Sequence, residues 1–381
     1  MRRLLALVSA IIFVDALLFT ALTPLVPTYA EEFDLSKTGA GLLVGAYGAG
    51  ALLGGIPGGI GAARYGPKRA VVAGLVLLSI SSFGFALADT ALALGAARFV
   101  QGVASTATWA GALAWISVAA PRERRGEVIG TAFGVAIFGA ILGPVFGGLA
   151  ELVSIELAFA IVGVLTLAFA GLASLGQPAQ RESASFAGLG RAFRDQRFLG
   201  GLWLNMLPAM LFGLLIVLTP LALDDAGWGT FEIAAVFFGA GLVEVVLNPV
   251  LGRYTDRVGR LLPVRAALVA STIVALGLAA SSTAALIAAL ICSASISFGS
   301  LYTPGMSLTS HRAESAGLAQ GLAFGVMNTA WACGELVGPT VGGAIAESAG
   351  DAVPYAVGAC LCALTLAATY RVAGRLRPRE A

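Results

Sequence analysis

Four ionisable side chains lie inside long apolar stretches of this 381-residue sequence: Asp15, Arg98, Glu244 and Glu335. A charged side chain near the centre of a bilayer costs at least about 3 kcal/mol, so each one needs a structural or chemical reason. A carboxylate in such surroundings can exchange a proton or bind a cation, whereas an arginine stays charged and can hold a nearby carboxylate ionised. The four are therefore candidates for binding protons or a charged solute. A hydrogen bond between helices is the structural alternative for each.

Asp15 has the depth expected of an exchange site. It lies twelve residues after Arg3. At about 1.5 Å per residue that is about 18 Å along a helix, near the middle of a hydrocarbon core about 30 Å thick. Phe19 follows one turn later and is included in the predicted site.

A second polar stripe is centred on Glu335. This residue lies twelve positions before Glu347, so it is also near mid-depth. Asn328 lies seven positions before it, on the same helix face, and Trp331 lies between them. Glu244 belongs to a different segment, and its role is equally well explained by structure or by function.

Arg98 begins a polar face of its own. The face continues at spacings of three, seven and eleven residues with Gln101, Ser105 and Trp109. This pattern is typical of a helix that lines a cavity, and the arginine is expected to act on a nearby carboxylate.

The composition indicates that these segments cross a membrane. Hydrophobic residues make up 58% of the chain, charged residues 12%, and the mean hydropathy is +0.90. A soluble domain carries about a quarter charged residues, so a polar exterior is missing. Continuous apolar runs also exclude an outer-membrane barrel, whose strands alternate apolar and polar residues. The predicted fold class is an all-α membrane protein.

Twelve apolar segments are separated by short polar links, and each is interpreted as a transmembrane helix. They cover residues 4–30, 38–62, 70–88, 91–118, 128–150, 157–175, 199–223, 231–251, 265–281, 284–308, 317–346 and 354–370. The one long polar stretch separates two pseudo-symmetric six-helix bundles. The predicted organisation is an N-terminal bundle over 1–176, a cytoplasmic linker over 177–198 and a C-terminal bundle over 199–381.

Basic residues predict the orientation. Of the 23 Lys and Arg residues, 21 lie in the termini or in links after even-numbered helices, when Arg265, the first residue of the ninth segment, is counted with the link before it. Because cytoplasmic loops are enriched in Lys and Arg, both termini are expected in the cytoplasm and the protein in the inner cell membrane.

Three short motifs recur at offsets of 193 to 196 residues, which indicates duplication of one bundle. The pairs are Leu22-Thr-Pro-Leu with Leu218-Thr-Pro-Leu, Gly59-x4-Arg64-x-Gly66 with Gly252-x4-Arg257-x-Gly259, and Gly143-Pro-x-x-Gly-Gly with Gly338-Pro-x-x-Gly-Gly.

Together these features resemble the major facilitator superfamily over essentially the whole chain. Its loop signature between helices 2 and 3 is similar to the second-half residues Gly252, Asp256, Arg257, Gly259 and Arg260. The first-half copy keeps Gly59, Arg64 and Gly66, but Ala63 replaces the aspartate. The resemblance implies that these motifs act in gating, with no aspartate-dependent ion pair in the first half. Arg98, Gln101 and Gly102 also match the family pattern in helix 4.

Helix 5 resembles the antiporter signature of the drug-export branch at Gly143, Pro144, Gly147 and Gly148. Glycines four apart permit close helix packing and proline bends the helix, so tight packing alone is the alternative. Helix 1 around Asp15 resembles drug/proton antiporters, including the vesicular monoamine transporter subgroup. That subgroup has an acid in helix 11 where this chain has Asn328, which argues against a monoamine substrate.

The sequence favours secondary transport over catalysis. It contains one histidine and neither a His-Glu-x-x-His motif, a Gly-x-Ser-x-Gly motif nor a phosphate-binding P-loop, so neither an enzyme nor direct use of ATP is expected. No cofactor and no metal are expected.

The predicted function is proton-coupled antiport, or efflux, of a small organic cationic or amphipathic solute by alternating access, with Asp15 as the exchange point. A proton/solute symporter or a uniporter is the alternative, and a membrane receptor or channel is the alternative of another class. The expected partners are a small-molecule substrate, protons and the lipid bilayer, without nucleic acid, and the protein is expected to be a monomer.

Overall fold

The computed structural model describes residues 2–120, 125–177, 188–258, 261–318 and 320–375, and within these ranges the chain is helical and contains no β-strand. The predicted all-α membrane fold is therefore confirmed. In lipid, every backbone polar group needs a partner within the protein, and a helix provides those partners within one segment.

The helices follow one another with short links. The first part of the chain forms α1 (Arg2–Ala21), α2 (Val26–Glu32), α3 (Lys37–Tyr65), α4 (Pro67–Leu87), α5 (Ala91–Ala119), α6 (Arg125–Val153) and α7 (Ile155–Leu175). The second part forms α8 (Leu189–Ala192), α9 (Gln196–Asp225), α10 (Thr230–Val258), α11 (Leu261–Ala280), α12 (Ala284–Gly299), α13 (Tyr302–Ser315), α14 (Gln320–Ala349) and α15 (Ala352–Arg375). The linker predicted over 177–198 includes α8 and the first residues of α9, and its residues 178–187 lie outside the described ranges.

Eleven segments of the described chain are long and apolar enough to cross a membrane, whereas the sequence predicts twelve. The difference lies in α14. This helix has 30 residues, about 45 Å at about 1.5 Å per residue, so its length is sufficient. Its hydropathy is lowered by Asn328, Glu335 and several glycines. The helix that falls short in hydropathy is thus one that carries predicted site residues.

The first predicted helix is broken, which the sequence analysis did not anticipate. α1 ends at Ala21, a short 3₁₀ turn covers Thr23–Leu25, and α2 begins at Val26. Pro24 has no N–H group to bond the preceding turn and its ring clashes with a helical carbonyl. The turn is buried, so the last carbonyl groups of α1 need donors from other helices.

The link between α3 and α4 is the single residue Gly66, with φ of 96°. That conformation is readily available only to glycine, and Pro67 then begins α4 with its fixed φ. The prediction placed a loop over residues 63–69, which is wrong. Gly59 and Arg64 lie instead in the last turns of α3, because the helix keeps its backbone N–H and C=O groups hydrogen-bonded up to the turn at Gly66.

The two ends of the bundle differ in charge. We call the end formed by the links 33–36, 88–90, 154, 226–229, 281–283 and 350–351 the acidic face. The opposite end, with the described link residues 66, 120, 176–177, 188–195 and 316–318, is called the basic face. Among the described helices, α3 packs against α14 and α6 packs against α10, and these pairs join the two halves.

Duplication is visible in the packing as well as in the sequence. Along α6, three glycines lie against the backbone of α1 around Phe13, Leu17 and Ala21: Gly139, Gly143 and Gly147. Along α14, Gly334 and Gly338 lie against the α9 backbone at Met206 and Met210, and Gly342 lies against the side chain of Leu214. The glycines repeat at an offset of 195 residues and their partners at 193. Because glycine has no side chain, the two helices can approach this closely at these positions.

Contacts between the halves are concentrated at the acidic face. There Lys37 Nζ of α3 lies 2.6 and 2.7 Å from the carboxylate oxygens of Asp351, and the backbone N–H of Thr38 donates to Glu347 of α14 at 3.0 Å.

Towards the basic face the same helices separate. A side chain added at Gly59, Gly61 or Gly325 would meet no described atom within 4 Å. Among the described residues, α3 and α14 are therefore in contact at the acidic face and lie apart towards the basic face.

Candidate functional site

The break after α1 creates the first element of the site, and Arg98 of α5 fills it. Its guanidinium donates to the backbone carbonyl of Phe19 at 2.9 Å and to that of Leu18 at 3.5 Å. Both carbonyls belong to the last turn of α1 and lack the helical donors that a continuing helix would supply. Arg98 also donates to Gln101 Oε1 at 2.8 Å, which fixes the guanidinium on its own helix. The arginine thus caps a helix end inside the bundle.

Aromatic rings surround the Arg98 guanidinium. Its carbon lies 4.8 Å from the ring centre of Tyr47 in α3 and 5.7 Å from that of Phe19. Trp331 of α14 completes the cluster, with its ring centre 5.5 Å from Phe19 and 6.3 Å from Tyr47. A cation over the face of an aromatic ring is stabilised by about 0.5–2 kcal/mol. Residues of both halves therefore enclose the single buried cation in the described part of the site.

Asp15 of α1 lies beside this cluster and is 2% exposed. One of its oxygens, Oδ2, accepts from Ser105 Oγ at 2.7 Å and from Trp109 Nε1 at 2.8 Å. Ser105 in turn accepts from the Tyr47 hydroxyl at 2.9 Å. The other oxygen, Oδ1, is fully buried and has no hydrogen-bond partner among the described residues. An unpaired buried carboxylate oxygen is costly, so a proton or a cationic group would be stabilised there.

The described structure shows no ion pair between Arg98 and Asp15. The α1 carbonyls and Gln101 take the Arg98 donors, while Ser105 and Trp109 bind Asp15 two turns further along α5. The predicted polar face of α5 therefore binds α1 at two levels. Its arginine end caps the helix, and its serine and tryptophan end holds the carboxylate.

Glu335 of α14 is 5% exposed and accepts no hydrogen bond from a described residue. The charge of Arg98 lies close enough to interact with it. Asn328, two turns nearer the basic face, is exposed.

Glu244 of α10 is partly buried. Its carboxylate lies beside Gly299, and a side-chain carbon added at Gly299 would come within 2.7 Å of a Glu244 oxygen. Glu244 and Glu335 both lie close enough to the partly buried Tyr302 for their charges to act on its hydroxyl.

The helix 5 signature lies at a helix contact. Pro144 has no N–H, so the carbonyl of Ala140 loses its normal helical donor. The hydroxyl of Thr20 in α1 donates to that carbonyl at 2.7 Å. Gly143 and Gly147 lie against α1, and Gly148 lies against Ala234 of α10. The signature thus connects α1, which carries Asp15, to α10 of the second half.

The loop motifs are distant from this cluster. Gly59 and Arg64 are exposed at the basic end of α3, and the Arg64 guanidinium lies 5.7 Å from the ring of the adjacent Tyr65. In the second half, Gly252, Asp256 and Arg257 fall in the last turns of α10, and Gly259 and Arg260 lie outside the described residues.

Tyr47 is the residue that sequence reasoning missed. It is buried, contacts Arg98, Phe19 and Trp331, and bonds Ser105. The signal was a tyrosine in the middle of a glycine-rich apolar helix, because a buried tyrosine hydroxyl usually has a hydrogen-bond partner.

The described helices define a multi-pass membrane protein, and its family and relatives are transporters and not enzymes. The Major Facilitator Superfamily pattern matches residues 8–324, and the chain belongs to that family.

Two curated relatives from Bacillus subtilis (strain 168) are similar over most of their length. Multidrug resistance protein 1 is 27% identical over 332 residues, which are 84% of this chain and 84% of the relative. Multidrug resistance protein 2 is 24% identical over 352 residues, which are 87% of this chain and 86% of the relative.

Among solved structures, a bacterial homologue of the human lysosomal transporter Spinster, in an inward-facing and unoccupied conformation, shares the fold. Its TM-score is 0.80 at 16% identity, over 98% of this chain and 97% of that one.

Proposed function

We propose that this transporter is a proton-coupled antiporter that exports a small organic cation or amphipathic solute, with Asp15 as the exchange point. The observation that carries the proposal is the asymmetric binding of this carboxylate. Two donors hold Oδ2, while Oδ1 is buried and has no hydrogen-bond partner among the described residues. Oδ1 can therefore bind either a proton or a cationic group, and binding of one excludes the other.

The surroundings of Asp15 support competition over simultaneous binding. The carboxylate is 2% exposed, and its second oxygen already accepts from Ser105 and Trp109. One negative charge in a low-dielectric site is neutralised by one positive charge, and a second would be repelled. The names of the two Bacillus subtilis relatives, multidrug resistance proteins, agree with an export function.

Alternating access supplies the two sides of the exchange. In support, Lys37 and Thr38 of α3 bond Asp351 and Glu347 at the acidic face, whereas the described parts of α3 and α14 lie apart towards the basic face. With the basic face in the cytoplasm, as the positive residues predict, Asp15 would release its proton and take up solute there. Rocking of the halves would then expose it at the acidic face, where an external proton displaces the solute.

The proposal is tested in proteoliposomes whose lumen is more acidic than the bath, with the membrane potential clamped by potassium and valinomycin. Ethidium serves as the probe cation. Antiport predicts that ethidium accumulates in the lumen as protons leave, whereas a symporter would expel it and a uniporter would only equilibrate it.

Asp15→Asn keeps the shape of the side chain and removes its titratable charge, so uphill accumulation should be lost. Asp89→Asn is the matched control, because Asp89 is an exposed carboxylate in an acidic-face link. Wild-type accumulation by Asp15→Asn would refute the role of Asp15, and the absence of uphill accumulation in wild type would refute antiport of this probe.

A further inference from the structure

We propose that the ends of α11 and α15 at the basic face bind the phosphate group of an anionic phospholipid, and that Arg265 is the residue that holds it. The two helices pack against each other, and both carry exposed apolar side chains along their length. The proposed site is separate from Asp15 of α1 and does not depend on the direction of transport.

Arg265 lies on a face of α11 that is otherwise apolar and exposed. The large exposed side chains of this face are Leu262, Val269, Ile273 and Leu276. Arg265 lies three positions after the first of them and four before the second, so it shares their side of the helix. An exposed apolar stripe on a membrane-spanning helix contacts lipid. Because Arg265 is four residues from the start of α11, about 6 Å, it lies at the level of the lipid headgroups.

Two residues of α15 hold the Arg265 guanidinium in place. Its Nε donates to Thr369 Oγ1 at 3.2 Å, and its Nη2 donates to the Thr369 carbonyl at 3.1 Å. Its carbon lies 3.8 Å from the ring centre of Tyr370, which is itself 58% exposed. Tyrosine is enriched where membrane proteins meet the headgroups. The arginine is therefore oriented at the membrane interface and does not extend freely into water.

These contacts orient the positive charge without neutralising it. The partners of Arg265 are a hydroxyl, a carbonyl and an aromatic ring, and it forms no ion pair with a described residue. Its Nη1 has no hydrogen-bond partner in the described part of the chain and is not buried, so it is accessible to a ligand. Arg371 adds a second exposed positive charge, seven positions after the exposed Leu364 on the same side of α15.

A phospholipid has both of the groups that this surface can bind. Its phosphate matches the planar fork of a guanidinium, which binds phosphate through two parallel hydrogen bonds. Its acyl chains would cover the exposed Leu262, Val269 and Leu364, which a free phosphate ion would leave exposed. An anionic headgroup is favoured over a zwitterionic one because neither α11 nor α15 contains an acidic residue to bind an ammonium group. Basic pockets between membrane helices bind anionic headgroups in this way.

The first half contains the corresponding arginine without its partners. Pro67-Lys-Arg69 begins α4 as Pro263-Val-Arg265 lies at the start of α11, at an offset of 196 residues, and α4 packs against α7 as α11 packs against α15. Arg69 is exposed and contacts neither an aromatic ring nor a hydrogen-bond acceptor of a described residue. Moreover, α7 contains no tyrosine. Arg69 is therefore the matched control for Arg265.

The test measures which lipid lies beside α11. Val269→Cys, one turn from Arg265, carries a bimane fluorophore in protein that lacks the four native cysteines and is reconstituted in phosphatidylcholine vesicles. Either brominated phosphatidylglycerol or brominated phosphatidylcholine is mixed in, and the ratio of the quenching by the two lipids gives the preference of this position for the anionic one. We expect a preference of at least about fivefold in the parent.

Substitutions then separate an oriented guanidinium from positive charge in general. Arg265→Gln should lower the preference about fivefold, the effect of one basic residue near an anionic membrane surface. Tyr370→Leu should lower it about twofold because the guanidinium is no longer held, whereas Tyr370→Phe keeps the ring and should behave as the parent. Arg69→Gln removes the same charge from the same end of the bundle and should change the value at Val269 by less than about twofold.

Three results would overturn the proposal. A parent protein without a preference for phosphatidylglycerol would show that no anionic-lipid site is present at Val269. Equal losses in Arg265→Gln and Arg69→Gln would show diffuse attraction to the whole basic face. Inorganic phosphate, added in place of chloride at equal ionic strength, should leave the preference unchanged, and its loss would assign the site to free phosphate.

Discussion

The hydroxyl of Thr20 allows a test of how the glycine and proline signature of α6 is held against α1, the helix that carries Asp15. Pro144 removes the helical donor of the Ala140 carbonyl, and Thr20 replaces it at 2.7 Å. We expect Thr20→Val, which keeps the volume, to destabilise the protein by about 1–2 kcal/mol. A hydrogen bond between membrane helices contributes about 0.6 kcal/mol on average, whereas leaving a buried carbonyl unpaired costs about 1–3 kcal/mol. The expected cost exceeds the average because Thr20→Val leaves the Ala140 carbonyl unpaired.

The prediction becomes specific in a double-mutant cycle with Pro144→Ala. Alanine at 144 restores an N–H group four residues after Ala140, so the carbonyl regains its helical donor. Thr20→Val should then cost only about 0.5 kcal/mol or less, which gives a coupling energy of about 1 kcal/mol between sites on two helices. The free energy of unfolding in mixed micelles, followed by titration with sodium dodecyl sulfate, measures all four proteins.

Thr272→Val is the matched control. The Thr272 hydroxyl bonds the carbonyl of Leu268 within its own helix, and that carbonyl also has a backbone donor. Its loss should cost less than about 0.5 kcal/mol. If Thr20→Val and Pro144→Ala are additive, or if Thr20→Val costs no more than the control, Thr20 does not compensate for the proline.

Three further predictions concern topology, gating and packing. In intact cells, a cysteine at Ser183 should resist an impermeant thiol reagent while one at Ala226 is labelled, and the reverse pattern would overturn the orientation. Lys37→Met removes an ion pair whose side chains are 34% and 42% exposed. It should therefore raise the population open at the acidic face by only about two- to fivefold, equivalent to about 0.5–1 kcal/mol. Spin-label distances between Asp34 and Ser348 measure that population, and an unchanged distribution would contradict the gate. Gly102→Ala adds a carbon 2.7 Å from the backbone nitrogen of Ala51. This should cost about 1–3 kcal/mol of folding free energy in the same unfolding assay, and no loss would argue against close packing of α3 on α5.

The sequence predicted most of the fold because the bilayer imposes strong rules. Continuous apolar runs, short links and basic residues on alternate links are enough to place the helices. The errors occur where one residue changes the backbone locally. Pro24 breaks the first helix although its neighbours are apolar, and Gly66 closes a turn in one residue where a longer loop was expected.

The sequence predicted which residues belong to the site better than it predicted how those residues contact one another. Helical spacing placed Arg98, Ser105 and Trp109 on one face of α5, because that depends on a single helix. It could not show that Arg98 would cap the broken end of α1 in place of pairing with Asp15, because the break itself was not foreseen. Tyr47 was missed for the same reason, since its partners come from three other helices.

Proton release during substrate binding tests the central claim most directly. Ethidium is added to the purified transporter in weakly buffered detergent solution, and the pH change and the bound ethidium are measured together. Competition for Asp15 predicts about one proton released per cation bound at a pH where Asp15 is protonated, with the apparent affinity falling about tenfold for each unit by which the pH is lowered within that same range. Asp15→Asn should release none. Binding of ethidium to the wild-type protein without proton release, or equal release by Asp15→Asn, would contradict the account.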